Sequence, residues 1–558
     1  MINFLKGFFT KIFSMTNRFN LVCYGLIALG VIVRAKHYMT NCSLWTDEAW
    51  VAVSVSSRSF WQILQGVDIF PDLPKPPLGF LLLAKGAIMT LGDHEYALRL
   101  FSFISGAGAL FVFDRLVRVF KDKALTVITL GFFALCPSLI YFSAELKQYS
   151  LDLLCGLVLY LVFSDTLGFK LGMRKVILLG FLGCWAMWMS NAAVFILAAF
   201  GITFSLFALW EKRWSCFLRS LLIYGCWMAS FWFLYKNFLS NMASNTTLFQ
   251  TWPGAMLEVS LFSKEAIVWM KNIFLAMFSD PLSFSFPVMA FVLFWIGFFS
   301  FVRLKKQGIA FLFLSTILIT FLAAMVQKYP FRGRLLLFLF PGVLLLVVQG
   351  VLAIARGSRK EFSLGFMILF CLLLFAGPLT QTLRGFLKDY CREDNREAMS
   401  FIREHVRRGD FVLLNSAAQF PFWYYGGQRG LAQFFEETWA GMEQGVARKG
   451  VKIAKFWEGL KVSQGKQFTF FRYEYNLYDK DYHYVKSLIR SDLTEKDIYF
   501  LFEDLPFAYP VEGERLWLVL GNPSPDFERI ATGSLGLRFP KLMECKRKGV
   551  SVYLYQTR

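Results

Sequence analysis

Eleven long apolar runs constrain the fold of this 558-residue chain more than any other feature. A bilayer core of about 30 Å is crossed by roughly 20 apolar residues in an α-helix, and each run approaches that length. We therefore expect a polytopic α-helical membrane protein, with a tight turn at Ser190 and Asn191 between the fifth and sixth runs. The runs lie at 19–34, 97–117, 124–142, 149–168, 175–191, 193–210, 220–238, 283–302, 309–326, 335–353 and 363–382.

Composition excludes an ordinary soluble protein. Hydrophobic residues make up 56% of the chain and charged residues 18%, whereas soluble proteins have about 45–50% and about 25%. The net charge of +20 would indicate nucleic-acid binding in a soluble protein. Here most of the excess lies in short loops between apolar runs, so we expect a lipid bilayer as partner and no nucleic acid.

Lysine and arginine in the short loops predict the orientation, because cytoplasmic loops carry an excess of both. The N-terminus is basic, and so is each loop that follows an even-numbered run. We expect a cytoplasmic N-terminus, an odd number of spans and a C-terminal segment outside the plasma (inner) membrane. Residues 1–13 are expected to form an interfacial helix rather than a cleaved signal peptide. The basic loop residues are Lys121 and Lys123; Lys170, Arg174 and Lys175; Lys212, Arg213 and Arg219; Arg303, Lys305 and Lys306; and Arg356, Arg359 and Lys360.

Two domains are expected: a membrane domain over 1–382 and a soluble α/β domain over 383–558, periplasmic or extracellular. Apolar spacing over 394–406 predicts a helix in the second domain. Short apolar runs predict strands at 411–414, 498–502, 516–520 and 550–555.

Six of the ten cysteines lie within the apolar runs and Cys216 lies just before the run at 220–238; small packing residues are expected at these seven positions. Cys42, Cys391 and Cys545 lie outside the runs. A disulfide among these three is open but is not the favoured expectation.

Two adjacent acids follow the first run, in the segment Trp45-Thr46-Asp47-Glu48-Ala49-Trp50. Tryptophan rings prefer the membrane interface, and ionisable groups there are costly to keep. In a helix the two carboxylates would face different directions. Helix capping by Thr46 or Asp47 is the alternative explanation.

Lys75 lies between prolines, in Pro74-Lys75-Pro76-Pro77, just before an apolar run at 78–91. Prolines stiffen the chain in an extended form. The run is too short to span comfortably, so we expect an interfacial helix. Lys75 is either a headgroup contact or a fixed cation for a lipid phosphate.

Two further polar turns interrupt apolar runs. Glu145, Lys147 and Tyr149 form a polar cluster between the third and fourth runs, where an inter-helix ion pair is the alternative. Arg332 and Arg334 form a basic turn on the outer side, against the positive-inside pattern. Arginine binds phosphate through a planar fork of donors, although headgroup contact would also explain them.

The four segments together describe an outer-face site with carboxylates and several cations. A carboxylate suits a general base acting on a hydroxyl. Cations suit a phosphate leaving group, and an apolar groove suits a lipid tail. The chemistry predicted is transfer of a group from a lipid phosphate to a hydroxyl.

The order of these motifs resembles the GT-C class of membrane glycosyltransferases. Family 39 is the most similar; it includes the protein O-mannosyltransferases and the bacterial aminoarabinose transferase for lipid A. The match covers about 20–160 and 325–415. After the acid pair, its motifs are "KPPL", "HEYALRLFSFISGAGAL", "YFSAELKQYSLDLL", "YPFRGRLLLFLFPGVLLL" and "YCREDNREAMSFIREHVRRGDFVLL".

The resemblance implies a GT-C fold of about 11 transmembrane helices with interfacial helices in the first outer loop. It implies a polyprenyl-phosphate sugar donor and an inverting single displacement onto a hydroxyl of a lipid, glycan or protein. The C-terminal domain has no β-trefoil signature, which favours a bacterial-type enzyme. The implied roles are Asp47 as base and Glu48 as its acidic neighbour; Lys75, Lys147, Arg332 and Arg334 at the donor phosphate; and Glu145 and Tyr149 as support or metal ligands.

A flippase or transporter of lipid-linked glycans is an alternative function, as is a polymerase or ligase of such glycans. Transporters place binding groups near the bilayer midplane, whereas the acids here lie in an outer loop. No cofactor is certain from the sequence. Asp47, Glu48 and Glu145 leave a divalent metal ion open, because such ions take oxygen ligands.

Overall fold

The computed structural model describes residues 15–67, 73–169, 171–240, 252, 254–389, 391–405, 411–414, 416–427, 452–455, 515–523, 525–537 and 539–556. The interfacial helix expected over 1–13 and the strand expected over 498–502 lie outside these residues.

Nineteen α-helices occur within the described residues. In chain order they are α1 Met15–Thr40, α2 Thr46–Ser56, α3 Phe60–Leu64, α4 Leu78–Leu91, α5 Glu95–Arg118, α6 Lys123–Leu135, α7 Pro137–Phe142, α8 Tyr149–Thr166, α9 Met173–Met189, α10 Ala193–Trp210, α11 Trp214–Leu234, α12 Lys264–Ser279, α13 Pro287–Arg303, α14 Gln307–Met325, α15 Phe340–Gly357, α16 Lys360–Leu387, α17 Asn395–His405, α18 Ser416–Gly427 and α19 Pro525–Gly536. A π-helical turn, Tyr235–Leu239, extends α11, and a 3-10 turn, Gly333–Leu339, precedes α15.

All eleven predicted runs coincide with helices, and the chain is a multi-pass membrane protein by helix length and composition. Within the described residues, eight helices are long and apolar enough to cross a bilayer: α1, α5, α8, α10, α11, α14, α15 and α16. The other three runs form the shorter helices α6, α9 and α13. The run over 124–142 is divided because α6 ends at Leu135 and Pro137 begins α7. The tight turn between α9 and α10 is confirmed, with the Ala193 amide donating to the Ser190 carbonyl at 3.2 Å.

The chain folds into two compact units. The first comprises Met1–Asn41 and Arg58–Asp389, and the second comprises Cys42–Ser57 and Tyr390–Arg558. The helix that carries the predicted acid pair therefore belongs with the C-terminal segment. The predicted boundary at residue 382 concerns the bilayer and stays a prediction.

In the first unit, the span Gly333–Gly357, which ends in α15, is the most enclosed of the membrane-length helical segments: 94% of its most apolar stretch is buried, against 17% for that of α16. It packs closely on α13 through two glycines. A Cβ atom at Gly297 would lie 1.8 Å from the Leu346 carbonyl oxygen, and one at Gly350 would lie 2.0 Å from that of Leu293. Small residues let helix backbones approach closely in a membrane, so this pair fixes the centre of the helix bundle.

The second unit contains a five-stranded sheet in the order β2-β1-β3-β5-β4, with β1 parallel to β2 and β3 and with β5 antiparallel to β3 and β4. Leu516–Leu520 of β3 are all buried, as expected for a strand covered on both faces. The helix predicted over 394–406 is confirmed as α17. The strands predicted at 411–414, 516–520 and 550–555 are confirmed as β1, β3 and β5. The strands are β1 Phe411–Leu414, β2 Lys452–Lys455, β3 Arg515–Gly521, β4 Lys541–Arg547 and β5 Val550–Gln556.

A disulfide joins Cys42 to Cys391 within the second unit. The sequence left a disulfide among Cys42, Cys391 and Cys545 open without favouring it, and 349 positions separate the two cysteines that pair. Nothing in the local sequence pairs them. The packing interpretation of the cysteines in the apolar runs agrees with the burial of Cys23, Cys136 and Cys155.

Candidate functional site

The acid pair lies in the first turn of α2, in the second unit. Glu48 is 1% exposed, whereas Asp47 is partly exposed. Neighbouring residues of a helix point about 100° apart, so only one of the two carboxylates is enclosed, as expected. Both lie where the amide dipoles of a helix favour negative charge.

The cap of α2 comes from a distant residue. Trp45 holds the N-cap position and makes no side-chain capping bond. The Thr46 amide instead donates to Oε2 of Glu393 at 3.0 Å. The alternative explanation of the acid pair, capping by Thr46 or Asp47, is therefore wrong. Asp47 lies two residues after the N-cap position and is partly exposed.

Lys75, in the first unit, lies on the extended segment that leads into α4. The helix predicted over 78–91 is confirmed with the same bounds, and Pro77 holds its N-cap position. Asn191, from the α9–α10 turn, donates its side-chain amide to the Lys75 carbonyl at 3.4 Å. The Lys75 side chain is half-buried. The lysine is thus carried by a stiff segment that a neighbouring turn holds in place.

The polar turn between α7 and α8 is enclosed. Glu145, Lys147 and Tyr149 are 3%, 5% and 4% exposed. The Ser102 hydroxyl donates to the Lys147 carbonyl at 3.1 Å. Burying charges is costly unless they are compensated, so this turn is an integral part of the packed first unit.

The basic turn between α14 and α15, Arg332–Arg334, is called the arginine turn below. Its two arginines lie in different environments. Arg332 is exposed. The Arg334 guanidinium lies over two rings, 5.4 Å from the centroid of Tyr149 and 5.1 Å from that of Trp252. Stacking on aromatic faces stabilises a guanidinium and fixes its plane. Gly333 between them has a φ of +52°, a conformation that glycine adopts without strain.

Asp280 is part of this turn's surroundings, and the sequence did not identify it. A Cβ atom at Gly333 would lie 3.0 Å from Asp280 Oδ2. Burial raises the pKa of the Asp280 carboxyl, while the charges of Arg332 and Arg334 oppose that rise. The acid lies between α12 and α13, 52 residues before Arg332, and its sequence context, Ser-Asp-Pro-Leu, resembles an ordinary turn.

Asp152 is a second residue that the sequence missed. It lies in the first turn of α8, is 7% exposed, and its Oδ1 is buried without a hydrogen-bond partner. Ser190, from the turn between α9 and α10, lies beside it, and Tyr329 is near enough to be influenced by its charge. Ser190 precedes Asn191, which holds Lys75, and Tyr329 precedes the arginine turn. An acid within a membrane helix was a signal that could have found it.

A cavity of about 510 Å³ lies between α12 and the arginine turn, which is within the usual range for a small-ligand site. One face of α12 forms most of its wall. Trp269 is fixed there, with Nε1 donating to the Gly254 carbonyl at 2.8 Å. The cavity is mainly apolar, and its charged lining residues are the cations Lys264 and Arg332 and the acid Glu265. Its lining residues are Gly254, Lys264, Glu265, Val268, Trp269, Asn272, Ile273, Ala276 and Arg332.

Metal-ligating side chains are dispersed. Among the residues that the structure describes, no three His, Cys, Asp or Glu side chains are grouped to hold a metal ion. Of the three acids named from the sequence, Asp47 and Glu48 belong to the second unit and Glu145 to the first. A divalent metal stays an open element of the sequence-based prediction.

No family model and no curated protein matches the sequence. Solved structures do. The Archaeoglobus fulgidus oligosaccharyltransferase in its apo form is 12% identical with a TM-score of 0.46; the match covers 73% of this chain and 63% of that one, so this chain spans less than two thirds of its length.

ArnT from Cupriavidus metallidurans in the apo state is 9% identical with a TM-score of 0.46, and the match covers 95% of this chain and 98% of that one. ArnT bound to undecaprenyl phosphate is 10% identical, also with a TM-score of 0.46, covering 97% and 98%. These neighbours are GT-C glycosyltransferases, the class that the sequence motifs resemble. With TM-scores below 0.5 the likeness assigns no activity, so the functional proposal depends on this chain's own residues.

Proposed function

We propose that this protein is a membrane glycosyltransferase that moves a sugar from a polyprenyl-phosphate donor to a hydroxyl acceptor at the outer face of the membrane. The observation that best supports this function is that the arginine turn lies beside a mainly apolar cavity. A polyprenyl phosphate is an anion attached to an apolar chain, and such a cavity with cations on its rim is complementary to that combination.

Arg332 is the phosphate ligand in this proposal. Its guanidinium lines the cavity and is exposed. Arg334 is held over Tyr149 and Trp252, where its charge acts from a fixed position. Preorganised charges of this kind stabilise a leaving group without reorganising during the reaction. Lys75 adds a third cation on a stiff segment, and Lys147 is retained from the sequence as a candidate.

The lipid tail would lie along α12 and the segment before it. Phe262 is 93% exposed, Ile267 66% and Val268 57%. Exposed apolar side chains grouped beside a cationic rim are typical of a surface that meets lipid. This arrangement supports a lipid-linked donor over a water-soluble one.

Asp47 is the proposed base. It would take the proton of the acceptor hydroxyl as the hydroxyl oxygen attacks the anomeric carbon of the sugar. The bond between that carbon and the phosphate oxygen then breaks, its electron pair leaves on the polyprenyl phosphate, and the configuration inverts. The role is supported by the resemblance and by the partly exposed position of Asp47 in the first turn of α2.

A reconstituted assay tests this function. The purified protein in sealed lipid vesicles is given a panel of labelled polyprenyl-phosphate sugars and membrane extract as acceptor. We expect one donor to be consumed, with release of polyprenyl phosphate and appearance of a labelled product. Consumption of none of the donors, or movement of intact donor across a bilayer without transfer, would contradict the proposal and favour the flippase alternative.

A further inference from the structure

The segment between α1 and α2 is tied to the segment that opens the C-terminal part of the second unit. The Cys42–Cys391 disulfide is the first tie. Ser43 donates its hydroxyl to the Glu393 carbonyl at 2.5 Å, and Asn395 donates its side-chain amide to the Leu44 carbonyl at 2.9 Å. Every residue from 42 to 44 therefore contacts the 391–395 segment.

Glu393 makes the tie that reaches α2 itself. Its carboxylate accepts the Thr46 amide at 3.0 Å and the Asn395 side-chain amide at 2.7 Å. The residue is 4% exposed. An acid at a helix N-terminus satisfies an amide that the helix leaves without a partner. Glu393 thus performs the capping function from 347 positions away.

A second set of contacts holds the same turn from α18. The Leu44 amide donates to the Tyr425 hydroxyl at 2.6 Å, and the Thr46 hydroxyl donates to the Ala417 carbonyl at 3.0 Å. The Arg392 guanidinium lies 4.1 Å from the centroid of the Trp45 ring. The start of α2 is therefore enclosed by polar contacts that fix it, while Asp47, one residue further on, remains partly exposed.

We infer that Glu393 is a positioning residue for Asp47: its carboxylate holds the first turn of α2 so that the Asp47 carboxylate is presented to the acceptor hydroxyl. This inference rests on the proposed function. Thr46, which Glu393 binds, is the residue directly before Asp47, so a shift of the first turn moves the base itself. A displacement of about 1 Å at a reacting group can lower turnover by about 100-fold.

Three substitutions separate reach from charge. Glu393→Gln keeps the side-chain length and an oxygen acceptor but removes the charge. Glu393→Asp keeps the charge but is one methylene shorter, and Glu393→Ala removes both. We expect kcat to fall by about 10- to 100-fold in Glu393→Ala and Glu393→Asp, with the donor KM unchanged. We expect Glu393→Gln to stay within about threefold of the unsubstituted protein.

Glu404→Ala is the matched control, because Glu404 is an exposed acid on α17 of the same unit. It should leave kcat and KM unchanged. Hydrogen–deuterium exchange of the amides at 46–48 reports the contact without any activity measurement. Exchange should speed up in Glu393→Ala and Glu393→Asp but not in Glu393→Gln or Glu404→Ala.

Faster exchange in Glu393→Ala with unchanged kcat would overturn the inference, and so would a low kcat in Glu393→Gln together with a normal kcat in Glu393→Asp. Should Glu393→Ala fail to fold, the Gln and Asp pair alone decides. An unsubstituted protein that transfers no sugar would overturn the proposed function and the positioning role with it. An active protein that tolerates Glu393→Asp overturns the positioning role alone.

Discussion

Different kinds of contact hold the acid helix, which is α2 with Asp47 and Glu48, and the arginine turn in place. The start of α2 depends on a disulfide and on hydrogen bonds to Glu393 and Asn395. The arginine turn depends on aromatic rings, which hold Arg334, and on Gly333. Redox conditions and the side-chain length of residue 393 should therefore affect the acid helix and leave the arginine turn unchanged. The difference separates proton transfer from donor binding experimentally.

Replacement of Asp47 should have the largest effect. A general base contributes about 10²- to 10⁴-fold to a rate, so we expect Asp47→Asn to reduce kcat by at least about 100-fold with donor binding intact. Turnover and donor affinity are measured on the same purified sample. Asp93→Asn, which neutralises an exposed acid between α4 and α5, is the control. Retained turnover in Asp47→Asn would remove this residue from the role of base.

Replacement of Arg332 should affect donor binding at the arginine turn. A hydrogen bond to a charged group contributes about 1.5–3 kcal/mol, equivalent to roughly 10- to 150-fold in affinity. We expect Arg332→Ala to weaken donor binding by that range and to leave acceptor KM unchanged. Lys328→Ala removes an exposed cation from the segment just before this turn and should have little effect. Equal losses in both variants would indicate a diffuse charge effect rather than a phosphate ligand.

The disulfide should have a smaller effect, confined to the acid helix. Loss of a disulfide typically costs about 2–4 kcal/mol of stability. We expect the Cys42→Ser/Cys391→Ser double variant to have a lower Tm and a lower kcat, with the donor KM unchanged. Reductant should reproduce both changes in the unsubstituted protein and add nothing to the double variant. A change of donor KM with reductant would contradict the separation of the two regions.

The charge of Glu393 should have the smallest effect. Burial raises the pKa of its carboxyl above the usual 4.5, and the nearby Asp47 adds to that rise. A raised pKa favours folding below the unfolded-state value, and this stabilisation is lost as pH rises through the folded-state value. We expect Tm of the unsubstituted protein to decline relative to Glu393→Gln as pH rises above 4.5. Parallel Tm curves for the two proteins would show that ionisation of Glu393 has no influence on stability.

Local signals in the sequence predicted most of the helical architecture. Apolar runs longer than a few turns have few alternatives to a membrane helix, and the interfacial-length helix α4 followed from its length and its prolines. The helix at 394–406 and the strand at 411–414 followed from apolar spacing. The short helices α6 and α13 fell below spanning length because Pro137 and Pro287 begin new helices inside or close to the runs.

Contacts between residues far apart in the chain could not be predicted from the sequence. Glu393 caps a helix 347 positions earlier, and Cys391 pairs with Cys42 across 349. Neither has a local pattern that points to its partner. Asp280 is similar, because only the fold brings it to the arginine turn. Asp152 differs, because an acid near the start of an apolar run is by itself a sequence signal for a functional residue.

The most direct test of the central claim is mass spectrometry of cell-surface lipids and glycans from cells with the protein, without it and with Asp47→Asn alone. We predict that one sugar modification is missing in the last two samples and that its polyprenyl-phosphate donor accumulates in both. Unchanged surface glycans in cells without the protein, or a normal modification in Asp47→Asn cells, would contradict a glycosyltransferase that uses Asp47 as its base.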